Sequence, residues 1–352
     1  MQQQQQQQPP EEGHADDDDD VTAAAAVLEL PTPPLPPSRV LRHALERLVG
    51  SGDGSHALPR IYVLMHGAMR APPPDQQDPE ARACTPLLLD ELRRLFAAAA
   101  AAADAAGADV VPVLPFANQK PLPGALKVLS LRGDDAAGEL ARALAGDGEP
   151  LEVIPSAGLL SNAPAPVDRP SPDDPNHHRP LSFPDVAVGG TFDRLHAGHR
   201  LLLAATALVA ERRVFAGVTA DALLRSKAHG ELLQPYGLRA GRSAAYVRRV
   251  RPGLDEVAVG ALRDPAEPTQ AELDPAMRAL VVSRETVKGG EAINDGRARR
   301  GLAPLELVVV GLVGGGGGAG EGEDDGDVAG KLSSTALRER EYAAAREAGG
   351  RG

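Results

Sequence analysis

Two histidines framing a glycine, in His196-Ala-Gly-His199, close a run that opens as Gly189-Gly-Thr-Phe-Asp193. The apolar stretch Asp185 to Val188 before it reads as a strand, and His199 to Arg212 after it reads as a helix with Leu202, Leu203, Leu208 and Val209 turned inward. Glycines at a strand end let the backbone turn sharply. The helix that follows then aims its first amides, with their partial positive charge, into the cleft. His196 and His199 are three apart, so both can face one anion, and Gly198 removes a side chain where a ligand must come close. One histidine near a helix start is usually a cap or a core imidazole. A pair framing a glycine, eight residues after a strand-ending Gly-Gly-Thr, points to anion binding instead.

A second cluster lies near the far end: Ser333, Ser334 and Thr335, within Lys331 to Arg338. Alone it reads as an ordinary N-cap, but an N-cap also offers hydroxyls and amides to phosphate oxygens. Other patterns fail on their spacing. A P-loop reading of Gly314 to Lys331 puts Asp325 at the first required glycine and Leu332 at the hydroxyl position; with no P-loop before Gly352, a fused kinase activity is not expected. A dinucleotide-binding dehydrogenase is disfavoured because no G-x-G-x-x-G follows the first strand. His177-His178 has no third ligand at a chelating spacing and reads as a solvated loop, and Arg297 to Arg300 reads as a solvated helix face.

The elements around these motifs form a pattern. Val214 to Val218 reads as a strand directly after the histidine helix. Strand, helix and strand within so short a span make a βαβ unit, so an α/β fold with a doubly wound parallel sheet is expected. Further strands are expected at Glu256–Val259, Ala279–Val282 and Leu305–Val310, with a last helix from about Ser334. Upstream, residues 1–57 combine Gln2–Gln8, Asp16–Asp20, Ala23–Ala26 and a proline cluster, and read as a disordered head. Residues 58–155 read as a smaller α/β domain: strands at Ile61–Met65, Val110–Leu114 and Leu151–Ile154, a helix at Pro86–Ala106 with Leu88, Leu92 and Leu95 in register, and a weaker helix at Ala136–Leu144. Residues 156–182 are a proline-rich linker, 183–345 the domain bearing the motifs, and 346–352 a tail.

The net charge of −12 lies wholly before residue 183, because the remainder carries equal numbers of basic and acidic side chains. With no Trp and only 3% aromatic residues, a nucleic-acid partner is not expected. Neither is a membrane partner, since no apolar run reaches about 20 residues. Cys84 is the one cysteine, which excludes an intramolecular disulfide. Without a recognisable leader, the cytoplasm is the expectation by elimination, and protein partners are expected only through the acidic N-terminal half.

The run from Gly189 to His199 resembles the signature of the HxGH nucleotidyltransferase superfamily, and Lys331 to Arg338 resembles that superfamily's later serine-threonine motif, with Leu332 in place of the usual Ile. The sequence between them is similar to eukaryotic-type phosphopantetheine adenylyltransferases at Gly217–Asp221, Arg225–Lys227, Leu233–Arg239, Tyr246–Val247, Arg263–Pro265 and Ala279–Gly290 with Ile293-Asn294. This resemblance implies a Rossmann-like domain that transfers the adenylyl group of ATP to 4'-phosphopantetheine, with Mg2+ carried by the ATP phosphates and no protein metal site. It implies that Gly189, Gly190, Thr191, Phe192, His196, Gly198, His199, Ser333, Ser334, Thr335 and Arg338 line the ATP site. Thr191, Lys227 and Arg239 would hold phosphopantetheine, and His196, His199 and Lys227 would carry the catalysis. A cytidylyltransferase of the same superfamily and a non-catalytic nucleotide-binding scaffold are the alternatives.

Overall fold

A computed structural model describes residues 25–29, 60–64, 84, 86–103, 109–113, 126–130, 151–153, 181–311, 313 and 333–349. The described residues contain two five-stranded sheets, and every strand pair in both is parallel.

The first sheet contains β1 (Ala25–Glu29), β2 (Arg60–Leu64), β3 (Asp109–Val113), β4 (Leu126–Ser130) and β5 (Leu151–Val153), in the order β3-β2-β1-β4-β5. Its middle strand corrects the reading of residues 1–57 as a disordered head. Ala25 to Glu29 pairs with β2 on one side and β4 on the other. Five residues flanked by aspartates and prolines carry too little pattern to stand out, and the two neighbouring strands supply the pairing that composition alone does not predict. The strand β4 is a further element that the sequence pattern does not announce. Between β2 and β3 runs α1 (Pro86–Ala103), three residues shorter than expected. Leu88, Leu92, Leu95, Phe96 and Ala99 form its buried stripe, following helical spacing. The expected helix at 136–144, the 156–180 part of the linker and the rest of the head lie outside the described residues.

The second sheet is built from β6 (Phe183–Gly190), β7 (Ala210–Thr219), β8 (Glu256–Leu262), β9 (Ala279–Ser283) and β10 (Glu306–Val310), ordered β10-β9-β6-β7-β8. It is the Rossmann-like doubly wound sheet that the motifs imply. Val186, Ala187 and Val188 of β6, and Val214, Ala216 and Val218 of β7, are at most 2% exposed, as befits strands covered on both faces. The helices are α2 (Ala197–Val209), α3 (Tyr236–Val250), the single turn α4 (Gln270–Leu273), α5 (Val287–Arg299) and α6 (Ser334–Gly349). Helix α2 ends three residues before Arg212, and β7 begins at once. Buried Asp185 explains the early switch, because it draws Arg212 (2.7 Å) and Arg213 (3.0 Å) into a strand-to-strand ion pair across β6 and β7. Arg213 also pairs with Asp274. Arg297, expected on a solvated face, is instead fully buried and donates to the carbonyl oxygens of Ala303, Ala271 and Asp274. The last helix runs to Gly349, into the residues read as a tail.

Strand order reverses at β6, which connects onward to β7 on one side and pairs with β9 on the other. In open parallel sheets the crevice at the carboxyl ends of such strands is where ligands sit. The residues there are Gly189 to His199, at the end of β6 and beyond it, and Ser283 onward, at the end of β9 and beyond it. Among the described residues no helix is long and apolar enough to cross a membrane.

Candidate active site

The turn after β6 is not made by its glycines. Gly189 and Gly190 belong to the strand, and the left-handed residues are Phe192 (φ 49°) and Arg194 (φ 47°). Non-glycine residues adopt this conformation only at a cost of about 1–3 kcal/mol, when the surroundings enforce it. Here Phe192 is fully buried, and the Arg194 amide donates to Gln234 Oε1 at 2.9 Å. Gly190 serves another purpose: a Cβ there would stand 3.0–3.3 Å from the Phe192 ring, which folds back over it.

The twisted turn delivers the histidines. His196 is the N-cap residue of α2, without a side-chain cap of its own, and its imidazole stacks on that of His199 at 4.0 Å between centroids. Phe192 closes the far side of His199 at 5.3 Å. Both Nδ1 atoms are buried without a hydrogen-bond partner in the protein. Such a buried, unpaired atom costs about 1–3 kcal/mol. Burial, reinforced by the Arg200 charge and opposed by Asp193, pushes His196 down to about 4. Burial and the neighbouring His196 hold His199 well below its ordinary value. The free protein therefore carries two neutral imidazoles at pH 7. Because the unfolded chain would protonate them near 6.5, their contribution to stability is complete above that pH and is lost as pH falls, for His196 through about 4.

Gly198 is where the pair is most vulnerable. A Cβ at this position would lie 3.2 Å from His196 Cε1 and 3.3 Å from Nδ1, so Gly198→Ala must push the ring aside. The ring needs to give by only a few tenths of an ångström, a fraction of the roughly 1 Å displacement that costs about 100-fold in rate. The expected result is a several-fold fall in turnover with a melting temperature near that of the wild type, read by a steady-state assay beside a thermal melt.

The serine-threonine motif comes to the same place. Ser333 caps α6, its Oγ accepting from the Ala336 amide at 3.2 Å. Ser334 Oγ donates to the Asp193 carbonyl at 2.8 Å across 141 residues of sequence. Asp193 is fully buried and joins three segments. Its Oδ2 accepts from Arg338 Nη1 at 2.6 Å, its Oδ1 from the Gln234 amide at 3.1 Å, and both oxygens from Arg194 Nη1 at 3.2 Å. Arg194 also reaches Glu341 on α6. The Arg338 Nε donates to the Ala228 carbonyl at 3.0 Å, and the His229 ring meets that of Tyr342 at 4.5 Å. These contacts clasp α6 to the turn after β6 and to the 220–235 loop.

Two arginines are held inside this network. Arg338, only 2% exposed, donates to Asp193, Ala228 and Thr335 and so brackets the turn after β6, the 220–235 loop and α6. Arg239, fully buried, donates to the carbonyls of Gln234, Thr191 and Thr219 and to Asp221 Oδ1. From this buried position it fixes the Thr191 backbone to the start of α3 and the 220–235 loop. Lys227, in contrast, is exposed on the 220–235 loop, beside the Ala228 carbonyl that Arg338 holds. Sequence reasoning misses Asp193, Gln234 and Glu341. Asp193 stands inside the first motif, and a carboxylate in a stretch otherwise suited to anions is the available signal. Among the described residues no cluster of His, Cys, Asp or Glu could hold a metal ion.

Residues 187–312 match a cytidylyltransferase-like family profile. A phosphopantetheine adenylyltransferase of Saccharomyces cerevisiae is 38% identical over 156 residues, which cover 44% of this chain and 48% of the yeast protein. The chain thus spans about half the length of that relative. The phosphopantetheine adenylyltransferase of Thermococcus gammatolerans is 35% identical over 158 residues, 44% of this chain and 86% of the archaeal one. The chain belongs to the phosphopantetheine adenylyltransferase family. The Methanopyrus kandleri phosphopantetheine adenylyltransferase agrees, at 37% identity over 156 residues, 44% of this chain and 89% of its own length. Within a phosphopantetheine adenylyltransferase framework, the stacked histidines and the start of α6 lie at the carboxyl end of the strand where order reverses.

Proposed function

We propose that the chain transfers the adenylyl group of ATP to 4'-phosphopantetheine, releasing pyrophosphate and forming dephospho-coenzyme A. One observation carries the reading: the Ser334 hydroxyl on the Asp193 carbonyl brings the serine-threonine helix start to the histidine turn. A triphosphate between them would meet the first amides of α2 and α6 and the stacked imidazoles. The names of the archaeal and yeast relatives support the choice of acceptor.

The attacking oxygen belongs to the terminal phosphate of phosphopantetheine and is already anionic, so no general base is needed. A new bond forms between that oxygen and the α-phosphorus of ATP, the bond from the α-phosphorus to the bridging oxygen breaks, and pyrophosphate leaves with the electron pair. The protein holds two polyanions in line and neutralises charge developing on the α-phosphate. His196, His199 and the helix amides act on the ATP side. Thr191 and Lys227 act on the acceptor side, Lys227 as a point charge. Mg2+ would arrive on the ATP phosphates and supply further charge neutralisation; with no carboxylate cluster among the described residues, phosphate oxygens and water would hold it. A cytoplasmic site of action completes the reading.

The test is pyrophosphate release by the full chain from ATP with and without phosphopantetheine. Release that requires phosphopantetheine supports the reading; release from CTP with a phosphoalcohol moves the chain to cytidylyl transfer, and silence with both leaves a nucleotide-binding scaffold. A second expectation follows from the neutral histidines. A triphosphate against them raises their proton affinity, so ATP binding should draw protons to the site and tighten as pH falls, by up to about tenfold per pH unit for each proton. Calorimetric titration in buffers of different ionisation enthalpy reads this directly, and buffer-independent heats would contradict it.

A further inference from the structure

The two sheets share one plan. Counted from its own first strand, each runs 3-2-1-4-5 and is parallel throughout. They differ where phosphate chemistry would have to reside. In the sequence, β6 is followed by Thr191 to His199 and β1 by Leu30-Pro-Thr-Pro-Pro-Leu-Pro-Pro37. Five of the seven residues 31–37 are proline, and proline has no N–H to offer an anion. No His-x-Gly-His occurs anywhere before residue 183.

What the N-terminal unit does supply is a cover. Every residue of α2 from Leu203 to Val209 is at most 2% exposed. Seven consecutive residues make nearly two helical turns, so α2 is enclosed on all sides, whereas a helix lying on a sheet ordinarily keeps one face in water. Helix α1 completes the enclosure: Leu88, Leu92, Leu95 and Phe96 belong to the same hydrophobic cluster as Leu201, Ala204 and Leu208. The seam has two further ties. The Leu181 amide donates to the Cys84 carbonyl at 2.6 Å, and Arg93 packs so closely on Gly311 that a Cβ there would overlap its Cδ.

We infer that the N-terminal unit is a second copy of the same architecture, stripped of nucleotide chemistry and kept as a built-in partner that seals the outer face of α2. The inference rests on the proposed function only in calling the other unit the catalytic one. Its test uses the full chain with a site-specific protease sequence placed between residues 161 and 175, cut after purification. The two pieces are expected to co-elute one to one, melt in a single transition, and bind one equivalent of a non-hydrolysable ATP analogue per pair. Pieces that separate, with the C-terminal one monomeric and unchanged in melting temperature, overturn the seal. A second equivalent of nucleotide that survives in the His196→Ala/His199→Ala chain overturns the silence. Elution, melting and stoichiometry are read without turnover, so a chain that fails the pyrophosphate assay still puts the seal to the test.

Discussion

His199→Ala should lower kcat by about 100-fold or more while leaving the chain folded. Removing one preorganised group that meets charge developing in a transition state costs about 10²–10³ in rate, and the change breaks no hydrogen bond of the His199 Nδ1 within the protein. Its ring is held in place by His196 at 4.0 Å and Phe192 at 5.3 Å, so the geometry is set before ATP arrives. If the group acts mainly in the transition state, kcat and kcat/KM should fall together. His199→Asn, which keeps a neutral donor, should recover part of the loss. A folded alanine variant with wild-type turnover would remove His199 from the chemistry.

The second large effect is structural. Asp193→Asn leaves Arg338 buried at 2% exposure opposite an amide in place of a carboxylate 2.6 Å away. Breaking a buried pair from one side costs about 3–5 kcal/mol, a large part of the roughly 5–15 kcal/mol typical of a whole protein. The thermal midpoint should fall by roughly 6–20 °C. Because Asp193 also carries the Gln234 amide and its carbonyl accepts from Ser334, KM should rise for both substrates. Removing the partner as well, in Asp193→Asn/Arg338→Leu, should destabilise by less than the two single changes added, since no charge is then stranded. Strict additivity would mean that the two residues do not form the pair seen here.

The second sheet is legible in the sequence because its signals are local. Val186 to Val188, Val214 to Val218 and Ala279 to Val282 are apolar runs at the length of buried strands, and the histidine motif fixes its own place after the first of them. The first sheet is half legible: β2, β3 and α1 announce themselves, whereas β1 is five residues whose state depends on neighbours 35 and 101 positions away. Glycines suggest a turn that Phe192 and Arg194 actually make, because a left-handed residue held by Gln234 and Glu341 leaves no mark in composition. The arginines illustrate a related point: a sequence shows their charge, and only contacts show that Arg239 and Arg338 are buried and pair with Asp221 and Asp193.

Helix α1 also has a consequence for how the chain is made. Leu88, Leu92, Leu95 and Phe96 leave the ribosome about 100 residues before the α2 surface they will cover, a delay of roughly 5–20 s at ordinary elongation rates. During that interval a greasy stripe waits in the open beside an unfinished partner. Nascent chains should therefore engage chaperones most strongly between those two points, and substitutions that speed translation of the first half would gain nothing.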